Sequence, residues 1–189
     1  MIDGEGFTRR AENFARLTRE VPEIVYDNSQ NPILHTPAEE VGIEEGIEIA
    51  TQLGGVLLRT REITGYGRGL AAPQIDVGKR VFVTYVGGRL ETFINPKITW
   101  RSGDRYTYRE LCLSAALTAA DVKRPKTISM EWTSPEGTHM FGDFDEFLAR
   151  LYQHEVDHLD GHMCTDSDRA TSLEVATFDP LAEKLRELH

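Results

Sequence analysis

The motif HEVDH is the part of the sequence with the clearest chemical capability. His154 and His158 are four residues apart, so on a helix their imidazoles project from one face and can share a metal ion. Glu155 lies beside the first histidine, where its carboxylate can reach a metal-bound water without being a ligand. The motif therefore predicts a metal site with its own proton shuttle. The alternative interpretation is two histidines that cap a core helix.

A third protein ligand is needed, because two histidines and a water leave a catalytic metal site one ligand short. Downstream of the motif, His162 follows Gly161 too closely to fold back easily, and Glu174 has no supporting motif. We therefore consider Cys112, upstream of the motif, as the third ligand. The alternative interpretation of Cys112 is an apolar cysteine buried in the core. No role is assigned to Cys164, His35, His139 and His162.

The motif must be carried by a helix, and residues 144–161 have the pattern of a buried amphipathic one. Their apolar residues recur at spacings of mostly three and four, which places them on one helix face. These residues are Phe144, Phe147, Leu148, Leu151, Val156 and Leu159. Asp143 is predicted to be the N-cap, with Glu146 completing a capping box, and Gly161 is predicted to end the helix in the left-handed conformation.

The composition is that of a soluble globular protein. Of the 189 residues, 40% are hydrophobic and 28% are charged, and no apolar run is long enough to span a membrane. The 31 acidic and 21 basic residues give a net charge of −10, which argues against direct nucleic-acid binding. Two cysteines are too few for a disulfide-stapled secreted domain, and the N-terminus lacks the apolar core of a signal peptide. We expect a cytoplasmic protein.

The chain is interpreted as an N-terminal extension, residues 1–30, followed by a single catalytic domain, residues 31–189. Within the extension, residues 8–19 can form a helix that is broken at Val21 and Pro22. No chemistry is assigned to this helix.

A second helix is predicted to open at Ala38 and to contain Gly54 and Gly55. Glycine inside a helix costs on the order of 1 kcal/mol per residue, so either a close packing contact offsets this cost or the helix is kinked.

The middle of the chain is predicted to consist of short strands. Residues 79–85 and 90–94 form a hairpin around two glycines, and residues 97–100 can continue it. Residues 127–133 form a further strand, which turns at residues 134–137 into another. The order of helix, antiparallel strands and helix predicts an α+β fold, with mostly antiparallel strands packed around a central metal-binding HExxH helix.

A glycine-rich segment, GYGRGLAAPQ, occupies residues 65–74. It lacks the lysine of a phosphate-binding loop. Its small residues would allow a substrate backbone to approach the main chain closely, and Gln74 adds one amide. A plain turn before a strand is the alternative interpretation.

The segments GRGLAAPQ, ELCLS and QHEVDHLDG occur here in the order typical of the peptide deformylase family, which the chain resembles loosely over residues 31–166. The resemblance implies a metal held by Cys112, His154 and His158, with water as the fourth ligand and Glu155 as general acid and base. It implies one divalent ion per chain, iron(II) by preference, with zinc, nickel or cobalt as alternatives. It also implies removal of the N-formyl group from formylmethionyl peptides, with release of formate.

The resemblance further implies which groups contact the substrate. The Gln74 side chain and the Leu113 backbone amide would stabilise the oxygen of the tetrahedral intermediate, and Gly69 would lie along the substrate backbone. The sequence departs from the family pattern on this side of the site. Arg68 replaces an aliphatic residue, and Leu111 replaces a glycine.

These departures leave the substrate open. Leu111 puts a branched side chain where a bare backbone normally meets the peptide, and two alanines replace the usual hydrophobic residue and proline after Ser114. Arg68 could pair with a substrate carboxylate or simply point into solvent. There are two alternatives to an enzyme that acts on formylated peptides. One is an enzyme that acts on a small formamide, and the other is a non-catalytic module with a structural metal. The predicted last helix, residues 181–188, has nearly balanced charges, so ribosome docking is not supported.

Overall fold

The computed structural model describes residues 4–27 and 31–176, within which it has three α-helices and eight strands. The helices are α1 (Gly4–Glu20), α2 (Ile43–Thr64) and α3 (Glu146–Leu159). The strands are β1 (Gly69–Ala71), β2 (Val81–Val86), β3 (Arg89–Arg101), β4 (Arg105–Leu111), β5 (Thr118–Pro125), β6 (Thr127–Thr133), β7 (His139–Asp145) and β8 (Ala170–Val175). The helix predicted at residues 181–188 lies outside the described residues.

The strands form two antiparallel sheets. The larger sheet has the order β1-β2-β3-β6-β7, and the smaller one has the order β4-β5-β8. Every pairing between these strands is antiparallel. The predicted α+β fold is confirmed.

The larger sheet lies between α2 and α3, and the alternation of β2 shows how one strand serves both helices. Val81 and Val83 pack in one cluster with Leu53 and Leu57 of α2. Phe82, between the two valines, points to the opposite face and packs in a second cluster with residues of α3. This second cluster contains Ala149, Tyr152, Val156 and Leu159 of α3, which are the residues that fix the helix bearing HEVDH.

The glycines of α2 mark close contacts with the sheet. A Cβ at Gly54 would lie 2.8 Å from a methyl group of Leu90, and one at Gly46 would lie 3.0 Å from two atoms of Ile94. The helix is continuous from Ile43 to Thr64. Close packing therefore accounts for Gly54. The helix begins at Ile43 rather than at Ala38, because the intervening residues are extended.

The predicted hairpins are confirmed. β2 pairs with β3 around the two glycines, and β6 pairs with β7 around the turn at residues 134–137. β3 is longer than expected because it continues through residues 95–96 to Arg101, with Asn95 at a φ of 51°. The smaller sheet was not predicted, because β4, β5 and β8 have no turn motif between them that would identify their pairing.

The predicted start of the motif helix is wrong. Asp143 is part of β7 and pairs with Ser129 of β6, and α3 begins three residues later, at Glu146. Asp145 is the N-cap, without a side-chain hydrogen bond, so the predicted capping box does not form. Gly161 has a φ of +79°, as predicted. Residues 143–145 continue the strand because β6 supplies hydrogen-bond partners for their backbone groups.

The N-terminal helix packs onto the rest of the molecule. Leu17 of α1 is buried together with Val21 and Ile24 in the cluster that contains the apolar face of α2. The helix predicted at residues 8–19 is thus confirmed, and it begins earlier than predicted, at Gly4. Within the described ranges, no helix has the length and apolar character that crossing a membrane requires.

Candidate active site and metal centre

One cavity collects the side chains that the sequence singled out. Its walls come from the HEVDH face of α3, from the chain that follows β4, and from the segment that enters β1. The predicted site residues that line it are Arg68, Gly69, Gln74, Leu111, Cys112, Leu113, His154 and Glu155. The remaining one, His158, is fully buried.

The three predicted ligands lie close together. The Cys112 Sγ and ring nitrogens of His154 and His158 are all within 4.8 Å of one another. Nε2 of His158 is 3.3 Å from the sulfur. A metal roughly 2.0–2.3 Å from each donor fits a group of this size, since those are usual zinc-to-nitrogen and zinc-to-sulfur distances. One thiolate and two imidazoles suit iron, cobalt, nickel and zinc, so the residues fit a divalent transition metal.

Glu110 orients the first histidine. Its Oε2 is 2.9 Å from Nδ1 of His154, so this nitrogen carries the proton and Nε2 is left for a metal. Sequence reasoning missed Glu110, although a signal was present. It precedes Cys112 by two residues, and residues two apart on a strand face the same side.

A buried ion-pair network holds Glu110 in place. Arg124 of β5 donates to both oxygens of Glu110, at 2.6 and 2.9 Å, and its Nη1 donates to Asp157 of α3 at 2.6 Å. Burial raises the pKa of Glu110, but Arg124 and His154 outweigh it and hold this pKa at about 2. The network therefore keeps Glu110 ionised as the acceptor for His154 and ties β5 to the helix that carries the motif.

The site favours a thiolate at Cys112. A hydrogen bond from Cys164 lowers the pKa of Cys112 well below its usual range, and His158 and His154 lower it further against the opposing effect of burial. The same bond raises the pKa of Cys164, which stays a thiol. Cys164 was given no role from the sequence, and only the fold brings it beside Cys112. His35, His139 and His162 lie outside the metal-ligating groups of the described residues.

Glu155 places a buried carboxylate in the same cavity. Its carboxylate is 2% exposed, and burial raises its pKa to about 7. Its Oε2 has no hydrogen-bond partner among the residues described. A Cβ at Gly69 would lie 2.1 Å from Oε1, so position 69 must be glycine for this carboxylate to occupy its place. Gly69 thus shapes the space around Glu155 as well as the edge of β1.

Gln74 is fixed beside Cys112. Its Oε1 accepts a hydrogen bond from the Ala71 backbone at 2.9 Å. Its Nε2 donates toward Sγ of Cys112 at 3.4 Å and to Oγ of Ser114 at 3.2 Å. Leu113, the next residue after Cys112, opens a short 3-10 turn, where the first backbone N–H has no partner within the turn. The Leu113 N–H can donate to an oxygen in the cavity, and Nε2 of Gln74 can do so by exchanging one of its two present acceptors.

Leu111 and Arg68 line the cavity as predicted, and the Arg68 guanidinium carbon is 5.9 Å from the centre of the Phe147 ring. A further wall of the cavity was not predicted. It is formed by Arg10, Phe14 and Leu17 of α1. Nothing in the sequence signalled this contact, because helix α1 is far from the site along the chain.

One protein-family model matches most of the chain. The family model described as polypeptide deformylase matches residues 21–174. The chain belongs to the peptide deformylase family. Members are metal-dependent hydrolases that remove the N-formyl group from nascent peptides, and the resemblance stated from the three motifs is confirmed.

Individual relatives of the family align with most of the chain. A peptide deformylase of Treponema pallidum (strain Nichols) is 43% identical over 135 residues, which are 71% of this chain and 82% of that protein. One from Stenotrophomonas maltophilia is 36% identical over 145 residues, 71% and 85% of the two chains. The crystal structure of the Thermotoga maritima peptide deformylase superposes with a TM-score of 0.68 and 28% identity, covering 79% of this chain and 97% of that one. That of Synechococcus elongatus, in complex with actinonin, gives 0.66 and 29%, covering 87% and 84%.

Proposed function

We propose that this chain hydrolyses the formamide bond at the N-terminus of formylated peptides, with a divalent metal held by Cys112, His154 and His158. The observation that carries the proposal is the buried carboxylate of Glu155, which shares one cavity with Cys112 and His154 and lies beside the third ligand, His158, in the HEVDH motif. A purely structural metal centre is closed by a fourth protein ligand and needs no base. The combination of three ligands and a base with a raised pKa therefore supports hydrolysis over a binding module.

Iron(II) is the metal that we propose for the site, with zinc, nickel or cobalt as substitutes that the same donors accept. When bound, the ion supplies Lewis acidity toward the formyl oxygen and a nucleophilic water at neutral pH. Glu110 and Arg124 keep His154 in the tautomer that leaves Nε2 available.

In the proposed reaction, the residues of the chain orient the formyl group and move the proton. Glu155 accepts a proton from the attacking water and passes it to the amine nitrogen as the carbon–nitrogen bond breaks, which gives formate and a free amine. Its pKa of about 7 suits both transfers near neutral pH. Nε2 of Gln74 and the N–H of Leu113 donate to the formyl oxygen as negative charge develops on it.

The substrate backbone is proposed to lie along Gly69. β1 is an edge strand whose only partner within the larger sheet is β2, so its other edge can accept an extended peptide. Leu111 and Arg68 stand at this side of the cavity and are proposed to contact the substrate. Because both replace the family's usual residues, a smaller formamide is the second candidate substrate.

We also propose that the enzyme works in the cytoplasm. Cys112 and Cys164 are in contact without forming a disulfide, a state that a reducing compartment preserves. The net charge of −10 supports a peptide or small-molecule ligand rather than a nucleic acid. The catalytic unit is proposed to be residues 31–189, with residues 1–30 as the extension; the family match begins at residue 21.

The direct test is formate release from a formyl-methionyl peptide by protein purified without oxygen and loaded with iron or nickel. The substitution Glu155→Gln should lower kcat on the order of 10²- to 10⁴-fold, which is the usual contribution of general acid–base catalysis. Metal content should stay at one ion per chain, because Glu155 is not a ligand. Glu44→Gln, an exposed change on α2, serves as control. One bound metal without formate from any peptide or small formamide would refute the proposal.

A further inference from the structure

Helix α1 forms part of the cavity although it lies outside the matched family region. The match begins at residue 21, and α1 ends at Glu20. Arg10, Phe14 and Leu17 nevertheless line the cavity that contains Glu155. The substrate side of this site therefore has a wall that this chain adds to the family domain.

Two arginines in the cavity wall are buried. Arg10 of α1 is 8% exposed, and Arg150 of α3 is 6% exposed. Arg150 precedes His154 by one helical turn, so both side chains project from the same face of α3. The guanidinium carbon of Arg150 is 3.6 Å from the centre of the Tyr108 ring, and Nη1 of Arg10 donates to the Tyr66 hydroxyl at 3.0 Å.

Within residues 4–27 and 31–176, neither guanidinium has a counter-ion. No carboxylate of the described residues pairs with Arg10 or Arg150, and each has one buried nitrogen without a hydrogen-bond partner there, Nε in Arg10 and Nη1 in Arg150. The third buried arginine, Arg124, shows the usual arrangement, with both Glu110 and Asp157 as partners. Burying a cation without an anion is unfavourable, and contact with an aromatic ring offsets only part of the cost.

The acids of the cavity cannot supply the missing charge. Glu110 is already paired with Arg124 and His154. Glu155 lies against Gly69, and no ion pair joins it to an arginine of the described residues. Arg109, which also lines the cavity, is paired with Asp121 and Glu174 and is therefore compensated. The unmatched positive charge is thus localised at Arg10 and Arg150.

We propose that the cavity binds formylated substrates that carry a carboxylate, which pairs with the guanidinium of Arg150 and is enclosed by Arg10 of α1. This inference rests on the proposed deformylase function and specifies its substrate class. The carboxylate can belong to an acidic side chain of the formylated residue or to the free C-terminus of a very short substrate. Arg150 and Arg10 are specificity-determining residues here, and the bond-breaking step is unchanged.

The test compares matched substrates with the metal-loaded full chain. Formyl-glutamyl-alanine amide is paired with formyl-glutaminyl-alanine amide, and formyl-methionine is paired with formyl-methionine amide. A charge-assisted hydrogen bond predicts a kcat/KM on the order of 10- to 100-fold higher for the acid of the pair, expressed mainly in KM. The pair that shows the preference identifies which carboxylate is bound.

Variants assign the preference to the two arginines. Arg150→Gln and Arg10→Gln should each raise KM for the acid and leave KM for the neutral partner within about twofold. Arg109→Gln, a compensated arginine of the same cavity, should keep the preference. Equal kcat/KM for acid and amide in both pairs, with formate released, would overturn the inference and leave the proposed function intact.

Binding provides a readout that does not depend on turnover. Titration calorimetry with N-acetyl-glutamyl-alanine amide and with N-acetyl-methionine, each beside its neutral amide counterpart, should show tighter binding of one of the acids to the wild-type chain. The difference should become smaller in Arg10→Gln, because Arg150 is still present. This arm decides the question even where Arg150→Gln fails to fold. Selective binding of the acid without formate from any substrate would support the carboxylate site and refute deformylation. Equal binding of acid and amide in both pairs would refute the site.

Discussion

At position 69, even a methyl group would overlap the carboxylate that we propose as the proton shuttle. The hypothetical Cβ lies 2.1 Å from Oε1 and 2.5 Å from Cδ of Glu155, and Glu155 is too deeply buried to move aside. Gly69 is therefore required by the site itself, in addition to any contact with substrate. A sequence pattern identifies the glycine, but its reason lies in this contact between β1 and α3.

Gly69→Ala is expected to lower kcat on the order of 10²-fold, because the added methyl group displaces the Glu155 carboxylate from its position. Metal content should be unchanged, since the three atoms nearest to the added methyl group all belong to Glu155, which is not a ligand. Formate release and metal analysis of the purified variant measure both effects. Gly103→Ala is the control, because a Cβ there has no neighbour within 4 Å. Full activity in Gly69→Ala would contradict the assigned position of Glu155.

Glu110 is expected to make stability fall in acid. Its pKa of about 2 in the folded protein is below the value of about 4.3 for an unfolded chain. The contribution of Glu110 to the free energy of unfolding is therefore fully present above a pH of about 4.3 and is lost as the pH falls toward 2. Glu110→Gln should remove this part of the acid dependence, about 3 kcal/mol by the size of the shift.

Denaturant unfolding of metal-free protein between pH 7 and pH 3 measures this difference. The wild-type free energy of unfolding should fall more steeply than that of Glu110→Gln, and the two curves should converge in acid. Glu44→Gln, an exposed change, should follow the wild type. Parallel curves for wild type and Glu110→Gln would show that the ion pairs with Arg124 do not favour the ionised form.

At the scale of an element, α2 shows how the same residue type can have opposite roles. Gly46 faces the sheet, where a Cβ would meet three atoms of Ile94 at 3.0 to 3.2 Å, and Ile94 is fully buried. Gly55 faces outward, where the nearest atom to a Cβ is 3.7 Å away, at the end of Arg59. The sequence alone gives both glycines the same helix-weakening effect.

Gly55→Ala should stabilise the protein by about 1 kcal/mol, because alanine loses less backbone entropy in a helix. Gly46→Ala should destabilise it by about 1–3 kcal/mol, because Ile94 cannot yield and overpacking outweighs the same gain. Thermal unfolding should therefore shift upward for the first and downward for the second, by about 2–4 °C per kcal/mol. Shifts of the same sign would contradict the packing of α2 on β3.

At the scale of the whole molecule, the site joins parts that share no strand pairing. Cys112 follows β4 of the smaller sheet, whereas His154 and His158 are on α3, which packs on the larger sheet. The ion pair between Arg124 and Asp157 makes a second link between β5 and α3. A metal bound by all three ligands would therefore act as a cross-link in the folded state.

Metal removal is thus expected to lower stability as well as activity. A ligand at about 1,000 times its Kd stabilises the folded state by about 4 kcal/mol, so chelation should lower Tm by roughly 10 °C. Cys112→Ser should have a lower Tm from the start and respond little to chelator. Scanning calorimetry of both proteins, with and without chelator, measures this. An unchanged wild-type Tm after verified metal loss would argue against the cross-link.

Most of the helices and hairpins could be predicted, since their signals are local. Spacing of apolar residues identified α2 and α3, and glycine pairs identified the β2–β3 turn. The start of α3 was mispredicted because Asp143 has good capping chemistry, whereas β6 supplies backbone partners that keep it in a strand. The smaller sheet was missed because no turn motif marks the connection between β4 and β5, and because β8 is distant from both in the chain.

By itself, the sequence determined the HEVDH motif, since the spacing of His154 and His158 and the adjacent Glu155 are matters of residue type and order. The resemblance of three motifs to one family added Cys112 to the predicted donor set. Only the tertiary structure decided what surrounds these groups. It brought Cys164 against Cys112 and placed Arg10 of a distant helix in the wall of the cavity. The physical reason is that local chemistry depends on covalent neighbours, whereas burial, pKa and an unmatched charge depend on which distant segments exclude water from the same space.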